Sequence, residues 1–342
     1  MQKISFKNDY SEGAHPSILD ALVRNNFVQA DGYGNDEWCM QATQAIKKQF
    51  GNDAVDIHYV SGGTQANLLV LSAMLRPHEA VIAAHTGHIA VHETGAIEAT
   101  GHKIIEVPTD TGKLTPELID QVVTSHAGEH MVKPKVVFVS QSTEVGSLYS
   151  FVELKSIAEY CKNNDLYVYL DGARLGSGVS SPHTDLSMQM IATLVDVFYI
   201  GGTKNGALLG EAICICNDSL KTEFRRHMKQ KGALLAKGRL LGIQFLTLFQ
   251  ENLFFVLGTH ANTMAFQIAD ACKQQGYSFL TDPVSNQIFP ILPHSLIEKL
   301  GEKYEFYTRK QIDTDHSAVR FVTSRATEQK HIDQLVKDIV SF

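Results

Sequence analysis

The sequence predicts an α/β protein: a large, mostly parallel sheet with helices on both faces, followed by a small C-terminal α+β domain. Three observations carry this. Short runs of β-branched and aromatic residues alternate with helical stretches at a steady pitch from Val55 to Cys216, the signature of a sheet built with crossover helices. Glycine-rich turns follow several of those runs, as in Ile200-Gly201-Gly202-Thr203-Lys204, and strand ends of this kind are where open sheets place their chemistry. After about Asn217 the chain turns to basic and then long apolar helical stretches, so a second body begins. The expected division is a large domain over 1–245 and a small one over 246–342.

In order, a loop over Lys7–His15 leads to a helix that begins at Pro16, since proline suits a first helical turn. Asp31–Gly34 is a turn, and Asp36–Phe50 is a helix stopped by Gly51. Val55–Val60 is a short strand, and Ser61–Asn67 opens the apolar helix Leu68–Leu75. Val81–Ala84 is a strand, His88–Ala99 a helix ending at Gly101, Lys103–Val107 a strand, and Thr115–Ser125 a helix with Pro116 in its first turn. Strands follow at Val136–Ser140, Leu166–Leu170, Val195–Ile200 and Ala212–Cys216, with a helix at Val152–Asn163. The small domain is expected to hold helix over Lys221–Lys237 and Leu240–Gln275, strands over Ser278–Phe289 and Val319–Val322, and a closing helix over Glu328–Val340.

Composition narrows the function classes. In 342 residues, apolar types make up 44% and charged types 20%, an ordinary globular balance that argues against disorder. A net charge of −7 leaves no basic footprint for nucleic acid. Five scattered cysteines suit a reducing cytoplasm better than a disulfide framework. The run Met-Gln-Lys-Ile-Ser-Phe-Lys-Asn-Asp-Tyr has no apolar core of a signal peptide. Leu240–Leu257 is interrupted by Gln244, Gln250, Glu251 and Asn252 and reads as a buried helix or helix pair, not a membrane span. There is no internal repeat and no low-complexity linker.

Several residues can carry chemistry. Lys204, at a strand end, is a candidate amine nucleophile, because burial lowers an amine's pKa and frees its lone pair. Asp171, in Leu170-Asp171-Gly172-Ala173-Arg174, ends a neighbouring strand, and a buried carboxylate needs a positive partner. That partner is either a protonated pyridine nitrogen or Arg174. Ser61-Gly62-Gly63-Thr64 is either an anion site at a helix start or a simple helix cap. His85, His88 and His92 lie at helical spacing and could bind a metal, stack on a flat cofactor, or merely occupy a helix face. Arg320 alternates with apolar residues and either clamps a carboxylate or marks an edge strand.

Taken together and in this order, these stretches make the sequence similar, over nearly its whole length, to the threonine aldolase and β-eliminating lyase family of pyridoxal-phosphate enzymes with the aspartate-aminotransferase-like fold. Leu170–Arg174 is the strongest match, with Lys204 about thirty residues later. The resemblance implies that pyridoxal 5'-phosphate is the cofactor and Lys204 its Schiff-base lysine. It implies that Asp171 pairs with the pyridine nitrogen and that Gly63, Thr64 and Thr203 cradle the phosphate. His88 would stack on the ring, and Arg174 and Arg320 would hold the substrate carboxylate. Asn8 and Tyr33 would lie near the substrate, Tyr33 toward a neighbouring subunit, in a homodimer or homotetramer. The family's second histidine is replaced by Glu144 in Ser142-Thr143-Glu144-Val145, and its Gly-Gly-Gly-Met-Arg stretch is here Gly232–Lys237, with Lys237 or Lys229 in place of the arginine.

The expected reaction is therefore cleavage of a β-hydroxy-α-amino acid to glycine and an aldehyde. The departures point to a side chain other than threonine's, for instance an aromatic or bulkier one. The base for the β-hydroxyl is His88, His85, Glu144 or a water. The same apparatus could run β-elimination, racemisation or transamination. Two readings of other kinds are a metal-dependent enzyme using His85, His88 and His92, and a non-catalytic protein that has kept the fold.

Overall fold

The computed structural model describes residues 3–342. The elements run β1 (Ile4–Ser5), α1 (Pro16–Arg24), α2 (Glu37–Phe50), β2 (Asp56–Val60), α3 (Gly63–Met74), β3 (Glu79–Ala84), α4 (His88–Val91), β4 (Lys103–Val107), α5 (Pro116–Ser125), β5 (Lys133–Ser140), α6 (Phe151–Asn163), β6 (Tyr167–Asp171), α7 (Leu175–Val179), α8 (Met188–Leu194), β7 (Val197–Gly201) and β8 (Glu211–Ile215). They continue with α9 (Phe224–Gln230), α10 (Arg239–Phe249), α11 (Leu253–Gln274), β9 (Gln287–Ile288), β10 (Ile291–Pro293), α12 (His294–Gly301), β11 (Tyr304–Glu305), β12 (Tyr307–Gln311), β13 (His316–Val322) and α13 (Gln329–Val340).

The large sheet has the order β2-β8-β7-β6-β5-β3-β4. β8 pairs antiparallel with both of its neighbours, and the remaining pairs are parallel. All strands but β8 therefore point the same way, and their C-terminal ends share one edge. One face is closed by a core that takes in α2, α6, α8 and α10, the other by a core with α3 and α9. Burial on both faces explains why β3 and β7 read as unbroken apolar runs. The small domain pairs β13 with β9, β10 and β12 and packs that sheet on α11, α12 and α13.

Several helix starts follow from their caps. Asp36 accepts from the Cys39 N–H at α2, Thr115 from Leu118 at α5, and Ser150 with Glu153 forms a capping box at α6. The departures are local. The helix expected over His88–Ala99 ends at Val91, because Thr94 and Gly95 both take left-handed backbone angles, which no helix continues through. The helix over Lys221–Lys237 is confined to Phe224–Gln230. Leu240–Gln275 is two helices, broken where Glu251 and Asn252 are left-handed. The span from Arg239 to Gln274 is long and apolar enough to cross a membrane by composition, but its apolar residues pack in the protein's own cores. The strand expected over Ser278–Phe289 shrinks to Gln287–Ile288 and an isolated bridge at Phe279. Core membership changes within α11: Phe254 and Leu257 belong to the large core, and Met264 onward to the small one.

The N-terminal segment ties the two bodies together. β1 pairs with β11, and Phe6 is buried in the small-domain core. The Val322 N–H donates to the Phe6 carbonyl, and farther on the His15 N–H donates to the Gly206 carbonyl in the large domain.

Candidate active site

Asp171 and Gly201 end adjacent parallel strands, so Lys204, three residues beyond, emerges beside Asp171 at the shared edge. Lys204 lies in a short 3-10 turn over Thr203–Asn205. Burial and the Arg174 guanidinium push its amine below the ordinary lysine range, against the pull of Asp9, Asp171 and Glu211. Its Nζ lies 5.9 Å from the centre of the Tyr10 ring.

Three donors fix the Asp171 side chain. Its Oδ1 accepts from the Tyr199 hydroxyl at 2.6 Å and the Ala173 N–H at 2.9 Å, and its Oδ2 accepts from Asn67 Nδ2 at 3.3 Å. The same Asn67 amide donates to Glu93 Oε1 at 2.6 Å, and Glu93 Oε1 meets His88 Nδ1 at 2.8 Å. One polar chain thus runs from Tyr199 through Asp171, Asn67 and Glu93 to His88. Arg174, the alternative partner of Asp171, is engaged elsewhere. Its Nε and Nη2 donate to Asp9 at 2.7 and 3.1 Å, and Asn286 donates to the same carboxylate at 3.0 Å. Burial opposes ionisation of Asp9, but Arg174, Lys204 and these hydrogen bonds hold its pKa below the usual carboxylate range.

Gly63 opens α3, where no side chain caps the helix. Its N-terminal N–H groups and positive dipole end therefore face the sheet edge without an internal partner. A Cβ at Gly63 would approach the Tyr199 hydroxyl to 3.1 Å, so a larger residue there would press on the group that holds Asp171. Thr64 follows and is exposed. Thr203 accepts the Gly210 N–H at 3.0 Å through its hydroxyl. A buried amine of lowered pKa, a carboxylate fixed on the next strand, and an uncapped helix start fit the aldehyde, ring nitrogen and phosphate of pyridoxal phosphate.

The remaining predicted residues divide. Glu144 sits against His88: its Oε1 accepts the His88 N–H at 3.0 Å and the Ser140 hydroxyl at 2.8 Å. Burial, with Asp171 adding, raises its pKa. Arg320 donates through Nη2 to the Lys7 carbonyl at 3.0 Å, while its Nε is buried without a partner. Burial, then Arg174 and Arg309, lower its pKa to about 10. Asn8 uses its side-chain oxygen locally, accepting from the Tyr10 N–H and the Ser11 hydroxyl. His85 is exposed, and its Nδ1 accepts the Thr109 N–H at 3.2 Å. The His88 and His92 rings lie 5.5 Å apart. Among the described residues no three His, Cys, Asp or Glu side chains converge as metal ligands. Tyr33 is not brought to Lys204. Its neighbours are Lys229, with Nζ 4.8 Å from the ring centre, Arg225, and the Ala236 carbonyl.

Asp9, Asn67, Glu93, Tyr199, Glu211 and Asn286 complete the site without having been expected there. Only Asp9 carried a local sign, its place beside Asn8 in Lys7-Asn8-Asp9-Tyr10.

The sequence profile of the beta-eliminating lyase family matches residues 12–292. Low-specificity L-threonine aldolases of Pseudomonas aeruginosa and of a Pseudomonas species are each 31% identical to the chain, covering 98% and 99% of it and 96% and 97% of their own lengths. The solved threonine aldolase of Leishmania major superposes with a TM-score of 0.96 at 47% identity, over 98% of both chains. A Thermus thermophilus aspartate aminotransferase shares the fold, with a TM-score of 0.70 at 13% identity over 99% of this chain and 91% of its own.

Proposed function

Because the chain belongs to the beta-eliminating lyase family, a family of pyridoxal-phosphate enzymes, we propose that it cleaves β-hydroxy-α-amino acids of the threonine type to glycine and an aldehyde. The observation that carries this is the meeting of Lys204, Asp171 and the uncapped start of α3 at one sheet edge. When bound, pyridoxal phosphate supplies an electron sink for the pair released at the substrate's Cα.

The chain's own residues do the rest. Lys204, whose amine burial and Arg174 push below the ordinary lysine range, would hold the cofactor through its aldehyde. Asp171, fixed by Tyr199, Ala173 and Asn67, would face the ring nitrogen. Gly63 and Thr64 present main-chain donors to the phosphate, with Thr203 beside them. His88, oriented by Glu93, would stack on the ring. Arg320 is the principal holder of the substrate carboxylate, since its Nε has no partner while the Arg174 fork is taken up by Asp9. Holding the carboxylate sets which bond at Cα lies along the electron-accepting direction. Glu144, fixed through one oxygen by His88 and Ser140, takes the β-hydroxyl proton.

The working unit is a cytoplasmic homodimer or homotetramer. Tyr33 and Lys229 serve a neighbouring copy's site, which accounts for their distance from Lys204's surroundings. Val23 on α1, Phe27 in the turn after it and Met40 on α2, exposed at 74%, 94% and 57%, would be covered there. The test is to supply purified protein with pyridoxal phosphate and screen threonine, allo-threonine and phenylserine for released glycine and aldehyde. Lys204→Ala should lose both the visible cofactor band and turnover. Cofactor-dependent cleavage surviving in that variant would refute the assignment.

A further inference from the structure

Glu211 is a buried carboxylate for which the proposed chemistry has yet no use. It occupies the first position of β8, the one strand that runs against the sheet. It pairs on one side with Val60 and on the other with Gly201. Val60 leads into the α3 turn, and Gly201 leads into the turn that carries Lys204. Glu211 is 4% exposed, and its Oε2 accepts the Gly202 N–H at 2.9 Å. Among the described residues no cation lies within ion-pair distance of it, and Lys204 is the cation that faces it. The other titratable groups turned toward it are Asp171, Tyr169 and Tyr199, none of them positive.

A permanently ionised carboxylate suits this place poorly. It is buried, its donors are the Gly202 N–H and the Thr203 hydroxyl with no ion-pair partner, and it sits between two turns built to receive an anion and an aldehyde. Resting on the pyridoxal-phosphate reading above, we propose that Glu211 is a positioning residue that acts through Lys204, storing the proton the lysine amine gives up. The balance is simple: ammonium and carboxylate become amine and carboxylic acid, with no proton released to solvent. The acid form leaves the lysine lone pair free and removes a negative charge from beside the phosphate turn. The ionised form, at higher pH, favours a protonated nitrogen at Lys204. Burial, the largest influence, carries the carboxyl up to about 8 despite the pull of Thr203, Lys204 and the Gly202 N–H, in keeping with this exchange.

Two measurements decide it. In holoenzyme, Glu211→Gln keeps the acceptor for the Gly202 N–H but cannot hold the proton. The pH midpoint of the visible cofactor band should then fall by about one unit, the size of effect expected from losing a nearby opposite charge. An unchanged midpoint in a folded variant would overturn the proposal. In cofactor-free wild-type protein, carboxyl carbon NMR should show one glutamate titrating at about 8, assigned by its loss in Glu211→Gln or Glu211→Ala, whichever folds. A Glu211 signal that titrates in the ordinary carboxylate range would overturn it equally. Wild-type protein that never develops a visible band would defeat the cofactor reading, and the carboxyl titration would still judge Glu211.

Discussion

Asp9 neutralises Arg174 from 165 residues away in the chain, and neither residue is accommodated without the other. Removing one partner of a buried pair strands the other's charge, which costs about 3–5 kcal/mol. Asp9→Ala should therefore lower stability by roughly that amount in chemical denaturation, and Asp9→Asn by less. The pH sign follows from a folded pKa below the ordinary aspartate value of 3.8. The stabilisation is complete above that value and lost as pH falls through the lower folded one. Asp9→Asn should thus flatten the acid side of the stability profile below it. At Asp171 the loss is catalytic: Asp171→Asn should fold normally and turn over about a hundred-fold or more slowly, the scale set by removing one preorganised charge contact. Glu144, with its raised pKa, must be ionised to take a proton. The acid limb of kcat/KM should consequently lie above the ordinary glutamate value, and Glu144→Gln should abolish that limb along with most of the rate. The places of Asp171 and Lys204 at the sheet edge were legible, because one ends an apolar strand and the other follows the end of the next by three residues. Asp9 was not, because the arginine that gives it meaning lies 165 residues away, and Glu211 was not, because it reads as the first residue of an ordinary strand.

Among the elements, the strands of the large sheet and the helices α2, α5, α6 and α13 fell close to their expected bounds, while the strands of the small domain did not. An apolar run buried on both faces has no other good solution, so β3, β5, β6 and β7 fell where expected. The stretch after His88 deceived because its composition suits a helix while Thr94 and Gly95 turn left-handed. That turn carries Glu93 inward to His88 and Asn67, so function, rather than local preference, shaped it. α7 and α11 meet through two glycines. A Cβ at Gly258 would collide with the Gly176 carbonyl, and one at Gly176 would strike the Asn205 side chain, next to Lys204. Gly258→Ala should cost about 1–3 kcal/mol by overpacking, visible as a lower melting temperature. The cofactor should also be held less firmly in that variant, since α7 continues from the strand of Asp171.

At the scale of the molecule, the sequence revealed a large α/β body and a smaller one after it, but not where they join. The change of core falls inside α11, where a continuous apolar helix offers no break in composition. Assembly of copies belongs to this scale as well. Gel filtration with light scattering should give a mass at least twice the chain's 37.8 kDa. Lys229→Ala should weaken cofactor retention in the assembled protein while leaving the folded monomer's spectrum unchanged.

The strip from Ile4 to His15 is strung between both bodies. It adds a strand at β11, gives Phe6 to the small core, offers Asp9 to Arg174, lays Tyr10 against Lys204, and hands His15 to the loop after that lysine. A protease nick between Phe6 and His15 would unlace the two bodies and uncover the reactive amine in one stroke. Cleavage sites for fusion removal, peptide inserts and circular permutations therefore belong elsewhere on the surface, and a preparation clipped in this strip should be inert even where its remaining mass looks intact on a gel.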